Sequence, residues 1–137
     1  MGLILDSSVV IDAERRHETV EQLIERILRS TDDEDAALSA VGLTEIVHGI
    51  YRASTPEIRL RREGFLDELL ADFTVYPYTK ETATLAGKLD GQQRAKGAVV
   101  PFADLLIGAT ALALGFSVLT VNVRHFERIP GLSVVRF

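Results

Sequence analysis

The chain of 137 residues contains no cysteine. Disulfides, thiolate metal sites and a cysteine nucleophile are therefore excluded, and the composition suits a reducing cytosol. It also lacks a long apolar run. The longest candidate, residues 109–119, is interrupted by Thr110, Gly115 and Ser117, and a membrane span needs about 18–20 apolar residues. An excess of basic charge is missing too: 15 Lys and Arg stand against 20 Asp and Glu, for a net charge of −5. That argues against broad electrostatic coating of a nucleic acid but leaves room for a local site. The first six residues have no basic start and only a short apolar run, unlike a signal peptide. No repeat, low-complexity stretch or linker divides the chain. One cytoplasmic domain spanning 1–137, with no membrane association, is the expectation, and 47% hydrophobic residues suffice for its core.

What is present alternates between strand and helix signals. Residues 3–5 read as a short buried strand, followed by a helix capped by Ser7 or Ser8 and running to about Arg16. Thr19 and Gln22 form a potential capping box, with Val20, Leu23, Ile24, Ile27 and Leu28 at helical spacing behind it. Residues 31–35 read as an acidic, exposed turn. Residues 36–41 are expected as the second core strand and 44–53 as a helix. Thr55-Pro56 starts another helix, cap followed by proline, with Arg59, Arg61 and Arg62 mostly on its solvated side. Residues 73–76 predict a strand closed by Pro77, and 80–95 an amphipathic helix ending near Gly97. Pro101 begins a helix over 102–114 that is apolar on nearly every side, hence buried, and Gly115 ends it. Strands are expected at 116–121 and 132–135. Asp12, Glu14, Asp32, Asp33, Glu34 and Asp35 read as surface acids. The alternation predicts a three-layer α/β fold with a mostly parallel central sheet flanked by helices.

Four polar residues stand where apolar segments give way to a helix or loop. Asp6 follows residues 2–5, Glu45 opens the helix after 36–41, Asp104 lies in the first turn of the apolar helix, and Asn122 follows 116–121. In open parallel α/β sheets the binding crevice lies beyond the carboxyl ends of the strands, so folding can gather all four. Each also has a plainer reading: Asp6, Glu45 and Asp104 as helix-start acids, Asn122 as a turn residue. Three gathered carboxylates repel one another unless a proton or cation neutralises them. All-oxygen donors suit Mg²⁺ or Mn²⁺ rather than Zn²⁺. A divalent ion lowers the pKa of bound water and bridges phosphate oxygens, so the pattern points to metal-assisted phosphoryl chemistry.

The quoted residues resemble PIN-domain ribonucleases, specifically VapC toxins of bacterial and archaeal toxin–antitoxin pairs. The resemblance is carried by Leu3-Ile4-Leu5-Asp6-Ser7-Ser8, Thr44-Glu45-Ile46, Phe102-Ala103-Asp104-Leu105-Leu106-Ile107-Gly108-Ala109-Thr110-Ala111 and Leu119-Thr120-Val121-Asn122-Val123-Arg124-His125-Phe126. It implies a PIN-like fold with Asp6, Glu45 and Asp104 as metal ligands and Asn122 on the family's Thr-x-Asn block. Many relatives have a further acid three residues after that asparagine, where this chain has His125. The implied activity is Mg²⁺- or Mn²⁺-dependent cleavage of structured RNA such as tRNA or rRNA, by homodimers that a small VapB-like antitoxin inhibits. Asp6 and Asp104 are then direct ligands. Glu45 either binds metal, directly or through water, or orients the attacking water. Ser7 and Thr120 offer hydroxyls to hold the ligands, and Arg124 and Arg128 could bind RNA phosphates.

Rival readings fit less well. A haloacid-dehalogenase-like phosphatase would want a second acid where Ser8 stands, and a receiver domain a lysine where the late strand leads to Asn122. No Gly-x-x-x-x-Gly-Lys-Ser/Thr loop exists. The different-class alternative is a non-catalytic PIN-fold binding module, for nucleic acid or protein, with a degenerate metal site.

Overall fold

A computed structural model describes residues 2–32 and 35–137. Asp33 and Glu34, expected in the acidic turn, lie outside the described residues. Five strands form one parallel sheet: β1 (Gly2–Leu5), β2 (Asp35–Ser39), β3 (Val75–Tyr76), β4 (Ser117–Thr120) and β5 (Val134–Arg136), in the order β3-β2-β1-β4-β5. Seven helices are interleaved with them among the described residues: α1 (Ser7–Arg15), α2 (Val20–Thr31), α3 (Ala40–Tyr51), α4 (Pro56–Asp72), α5 (Lys80–Ala95), α6 (Phe102–Leu114) and α7 (Val123–Phe126).

Side-chain alternation along the strands splits the core in two. Leu3, Leu5, Leu38 and Leu119 join Val9, Leu23, Ile46 and Leu69 of α1 to α4. Ile4, Ala37 and Val118 face the other way, against Leu89 of α5 and Leu105, Ile107 and Ala111 of α6. This period of two in the strands, with helices on both faces, produces the expected three layers and explains why β1 is buried throughout.

Local chemistry accounts for most helix starts. Thr19 and Gln22 close a reciprocal capping box on α2, while Thr55 and Thr79 cap α4 and α5 through their hydroxyls. Gly115 ends α6 in the left-handed region at φ 72°, where a side chain would be strained.

Several boundaries differ from expectation. β2 stops at Ser39 rather than 41, because the Ser39 hydroxyl accepts the Gly42 N–H at 2.9 Å and caps α3 early. Glu45 therefore lies in the second turn of α3 instead of opening it. α1 begins after Asp6, not after Ser7 or Ser8. β3 and β4 are shorter than expected, and β5 is shifted towards the C-terminus. α7 is a helical turn in a stretch where the sequence predicts no element.

Two surface assignments are also corrected. Glu14 is 8% exposed; its Oε1 receives Arg61 Nη2 at 2.8 Å and its Oε2 lies 3.4 Å from Arg62 Nε. Asp12 is half-buried and bound by Arg26 at 3.1 Å. Packing α4 and α2 across α1 turns these charges inward, and a carboxylate is retained there only because guanidinium groups meet it. On α6, Phe102 departs from the expected all-round burial and is 67% exposed.

Candidate metal and RNA-cleavage site

The strand order places β1 between β2 and β4, so the chain reverses its direction across the sheet beside β1. Such a switch point opens a crevice at the carboxyl ends. Leu5 pairs with both Leu38 and Leu119. The next residue of β1 is Asp6 and the next of β4 is Thr120, side by side at the rim.

Asp6 occupies the capping position of α1 but makes no side-chain capping bond. Its buried carboxylate is used differently: Ser8 Oγ donates to Asp6 Oδ2 at 2.6 Å, and Thr120 Oγ1 donates to the same oxygen at 2.8 Å. Each hydroxyl also accepts a backbone N–H, Ser8 from Val121 at 3.3 Å and Thr120 from Asn122 at 2.9 Å. The plain helix-cap reading of Asp6 thus fails. Ser8, expected only as a possible cap, is a member of this network. Its signal in the sequence is spacing: a hydroxyl two residues after an acid returns to that acid in the first helical turn.

Glu45 projects from α3, and Ser7 Oγ donates to its Oε1 at 2.8 Å. Asp104 in the first turn of α6 is 14% exposed at its side chain, and His125 Nδ1 stands 2.9 Å from its Oδ2. The turn of α7 brings this imidazole in, a placement that the sequence reading of 122–126 misses.

The Asp104 carboxyl is raised from 3.8 to about 6. Burial contributes most, then the negative charge of Asp6; His125 opposes the rise, and Glu45 adds to it. Asp6, Glu45 and Asp104 therefore share one electrostatic field. Asn122 leads into α7 without a side-chain capping bond, and its side chain is exposed. Its backbone joins the site, the N–H donating to Thr120 Oγ1 and the carbonyl accepting the His125 N–H at 3.0 Å. Arg124 has no side-chain partner among the described residues, whereas Arg128 Nη1 lies 3.4 Å from the Val99 carbonyl.

Each of the three carboxylates has one oxygen engaged by a neighbouring side chain: Asp6 Oδ2, Glu45 Oε1 and Asp104 Oδ2. The other oxygen of each has no side-chain partner among the described residues. No group of three His, Cys, Asp or Glu side chains among them forms an arrangement that holds an ion as it stands. The donor chemistry nevertheless fits a hard divalent cation: three carboxylates, all oxygen, with Asp104 raised by burial and then by the charges of Asp6 and Glu45.

An apolar groove lies apart from the three acids, none of which lines it. It has a volume of about 140 Å³ and runs between α1, α3 and α4, lined by Val10, Ile46, Ile50 and Phe65 with Glu14 and Arg62 at its edge. No helix among the described residues is long and apolar enough to cross a membrane.

Comparison with known proteins agrees with this architecture. Residues 3–132 match the PIN domain family. Ribonuclease VapC1 of Rickettsia felis is 30% identical over 135 residues, covering 98% of this chain and 96% of the relative. The tRNA(fMet)-specific endonuclease VapC of Salmonella typhimurium is 33% identical over 98 residues, 71% of each chain. Among solved structures, that of VapBC2 from Rickettsia felis bound to a promoter DNA fragment superimposes with a TM-score of 0.86 at 21% identity, covering 100% of this chain and 99% of that one. With its parallel sheet and the acids beside β1, the chain belongs to the PIN-domain family and, within it, to the VapC proteins.

Proposed function

We propose that the chain is a Mg²⁺- or Mn²⁺-dependent endoribonuclease toxin that cuts structured RNA such as tRNA or rRNA. The observation that carries this reading is the gathering of Asp6, Glu45 and Asp104, where burial first, and the charges of Asp6 and Glu45 after it, push the Asp104 carboxyl up to about 6. A site that strains to hold its negative charges gains most from a bound cation. The named ribonuclease relatives support the reaction class.

Asp6 and Asp104 would hold the ion directly, with Glu45 joining them or orienting the attacking water. Bound there, a divalent ion supplies an acidified water and relieves charge on the scissile phosphate. Ser8 and Thr120 keep the Asp6 carboxylate in one orientation, and Ser7 does so for Glu45. Asp6 is buried and Asp104 half-buried, so solvent screens their charges only in part. Asn122 offers a neutral amide at the rim, and Arg124 a guanidinium for an RNA phosphate.

Inhibition by a VapB-like antitoxin is part of the proposal. The apolar groove of α1, α3 and α4 suits a short apolar segment of such a partner, and Glu14, Arg61 and Arg62 offer charges beside it. Relatives solved as VapBC complexes support the pairing. Homodimerisation and action in the cytoplasm follow from the family resemblance.

The non-catalytic alternative draws on one observation, that among the described residues no three such side chains form a ready-made ion site. Mutual repulsion of the carboxylates accounts for that as well. Purified protein should cleave structured RNA with Mg²⁺ or Mn²⁺, lose cleavage in excess chelator, and lose it as Asp104→Asn. Cleavage that persists in chelator would sink the metal mechanism, and no cleavage under any metal would favour the binding module.

A further inference from the structure

We infer that His125, together with Ser8 and Thr120, sets the ion preference of the site by making its aspartates one-oxygen donors. The inference rests on the metal reading above and deepens it. The starting point is the pattern of engaged oxygens. Ser8 and Thr120 both converge on Asp6 Oδ2, at 2.6 and 2.8 Å. His125 Nδ1 stands at 2.9 Å from Asp104 Oδ2. In each aspartate one oxygen is spoken for and one has no side-chain partner among the described residues.

An oxygen that accepts two hydrogen bonds, as Asp6 Oδ2 does, has no free lone pair for an ion. One that accepts a single bond, as Asp104 Oδ2 does, is a poorer ligand than its free partner oxygen. Ca²⁺ takes 6–8 oxygen ligands and readily uses both oxygens of a carboxylate, whereas Mg²⁺ and Mn²⁺ accept octahedral sets of single oxygens. Holding Oδ2 on both aspartates therefore withholds two ligands that the larger ion would use and the smaller ions do not need. His125 is a positioning residue in this scheme and not a ligand. An acid at that position would bring a negative charge and two more oxygens; the imidazole instead brings a donor that fixes the ligand already present. Nδ1 is taken as a protonated nitrogen, since it is the one facing the carboxylate.

Loss of the donor should release the second oxygen. His125→Ala removes the donor on Asp104, and Ser8→Ala combined with Thr120→Val removes both donors on Asp6; His125→Asn and Thr120→Ser keep them, the asparagine amide nitrogen falling near the position of Nδ1. Mn²⁺ binding to the full chain is followed by its electron paramagnetic resonance signal at one fixed pH, and Ca²⁺ is added as competitor. The wild type should prefer Mn²⁺. The preference should fall by about tenfold in His125→Ala and in the Ser8→Ala, Thr120→Val double variant, within the range for residues that orient a ligand, and stay at the wild-type level in the two conservative variants. A loss of folding would lower binding of both ions without changing their ratio, so the ratio separates positioning from mere support. Equal ratios in all five proteins would overturn this inference and leave the metal reading intact. Absence of Mn²⁺ binding to the wild type, or Mn²⁺ binding unaffected by Asp6→Asn, would overturn both.

Discussion

Asp104→Asn should make the metal-free protein more stable at neutral pH. The carboxyl rises from 3.8 to about 6 on folding, because burial and the charges of Asp6 and Glu45 outweigh the help of His125. A raised carboxyl binds its proton more tightly in the folded state. The associated stability is fully present below about pH 4 and is lost as pH climbs through about 6. The whole shift corresponds to about 3 kcal/mol. Solvent at the rim of the site screens part of it, so about 1–2 kcal/mol is the expected penalty of the ionised group at pH 7.5. Asparagine keeps the shape and carries no charge, and its carbonyl still accepts from His125. In chelator at pH 7.5 the variant should therefore melt later than the wild type by about 4 °C or more. At pH 4.5 the difference should largely vanish. Saturating Mn²⁺ should reverse the order, since binding at about 100 times the dissociation constant stabilises by roughly 2.7 kcal/mol and the variant has lost a ligand. Thermal melts of both proteins at the two pH values, with and without metal, make the measurement. A variant that is less stable than the wild type in chelator at pH 7.5, or a gap that does not change with pH, would refute the reasoning.

Other outcomes test separate parts of the molecule. Glu14→Gln should cost about 1–2 kcal/mol in denaturant melts, because Arg61 and Arg62 lose a buried charged acceptor; RNA cleavage should be unchanged, while capture of the cognate antitoxin should weaken. Gly108→Ala should destabilise by about 1–3 kcal/mol, since its new Cβ would fall 2.5 Å from Ile129 Cδ1 and 3.2 Å from Leu132 Cδ2; an unchanged melting curve would contradict the packing. One divalent ion should be well occupied in the free enzyme and a second should fill with RNA, because three carboxylates outweigh one ion and are outweighed by two. Manganese anomalous scattering with and without an uncleavable RNA reads the count, and His125→Asp should strengthen the second site.

Much of this architecture was legible before any coordinates. Runs of apolar residues separated by helical periods imply a parallel sheet covered on both faces, because only such a sheet buries every residue of a strand like β1. Thr19 with Gln22, Thr55 with Pro56, and Gly115 mark helix ends through chemistry that is local to the chain. Asp6, Glu45 and Asp104 could be singled out because an acid at the end of an apolar strand or the start of an apolar helix needs a reason to be there. What remained hidden is contact between residues far apart in sequence. Ser8 and Thr120 share one oxygen of Asp6 across a separation of 112 residues, and no local pattern encodes that. Glu14 reads as a surface acid until α4 lays Arg61 and Arg62 over it. The same holds for His125. Only the turn of α7 against α6 decides that the imidazole meets Asp104. Local propensity and hydrophobic period act over a few residues and determine the elements; charge and hydrogen bonding at the site act through space, and only tertiary packing sets those distances.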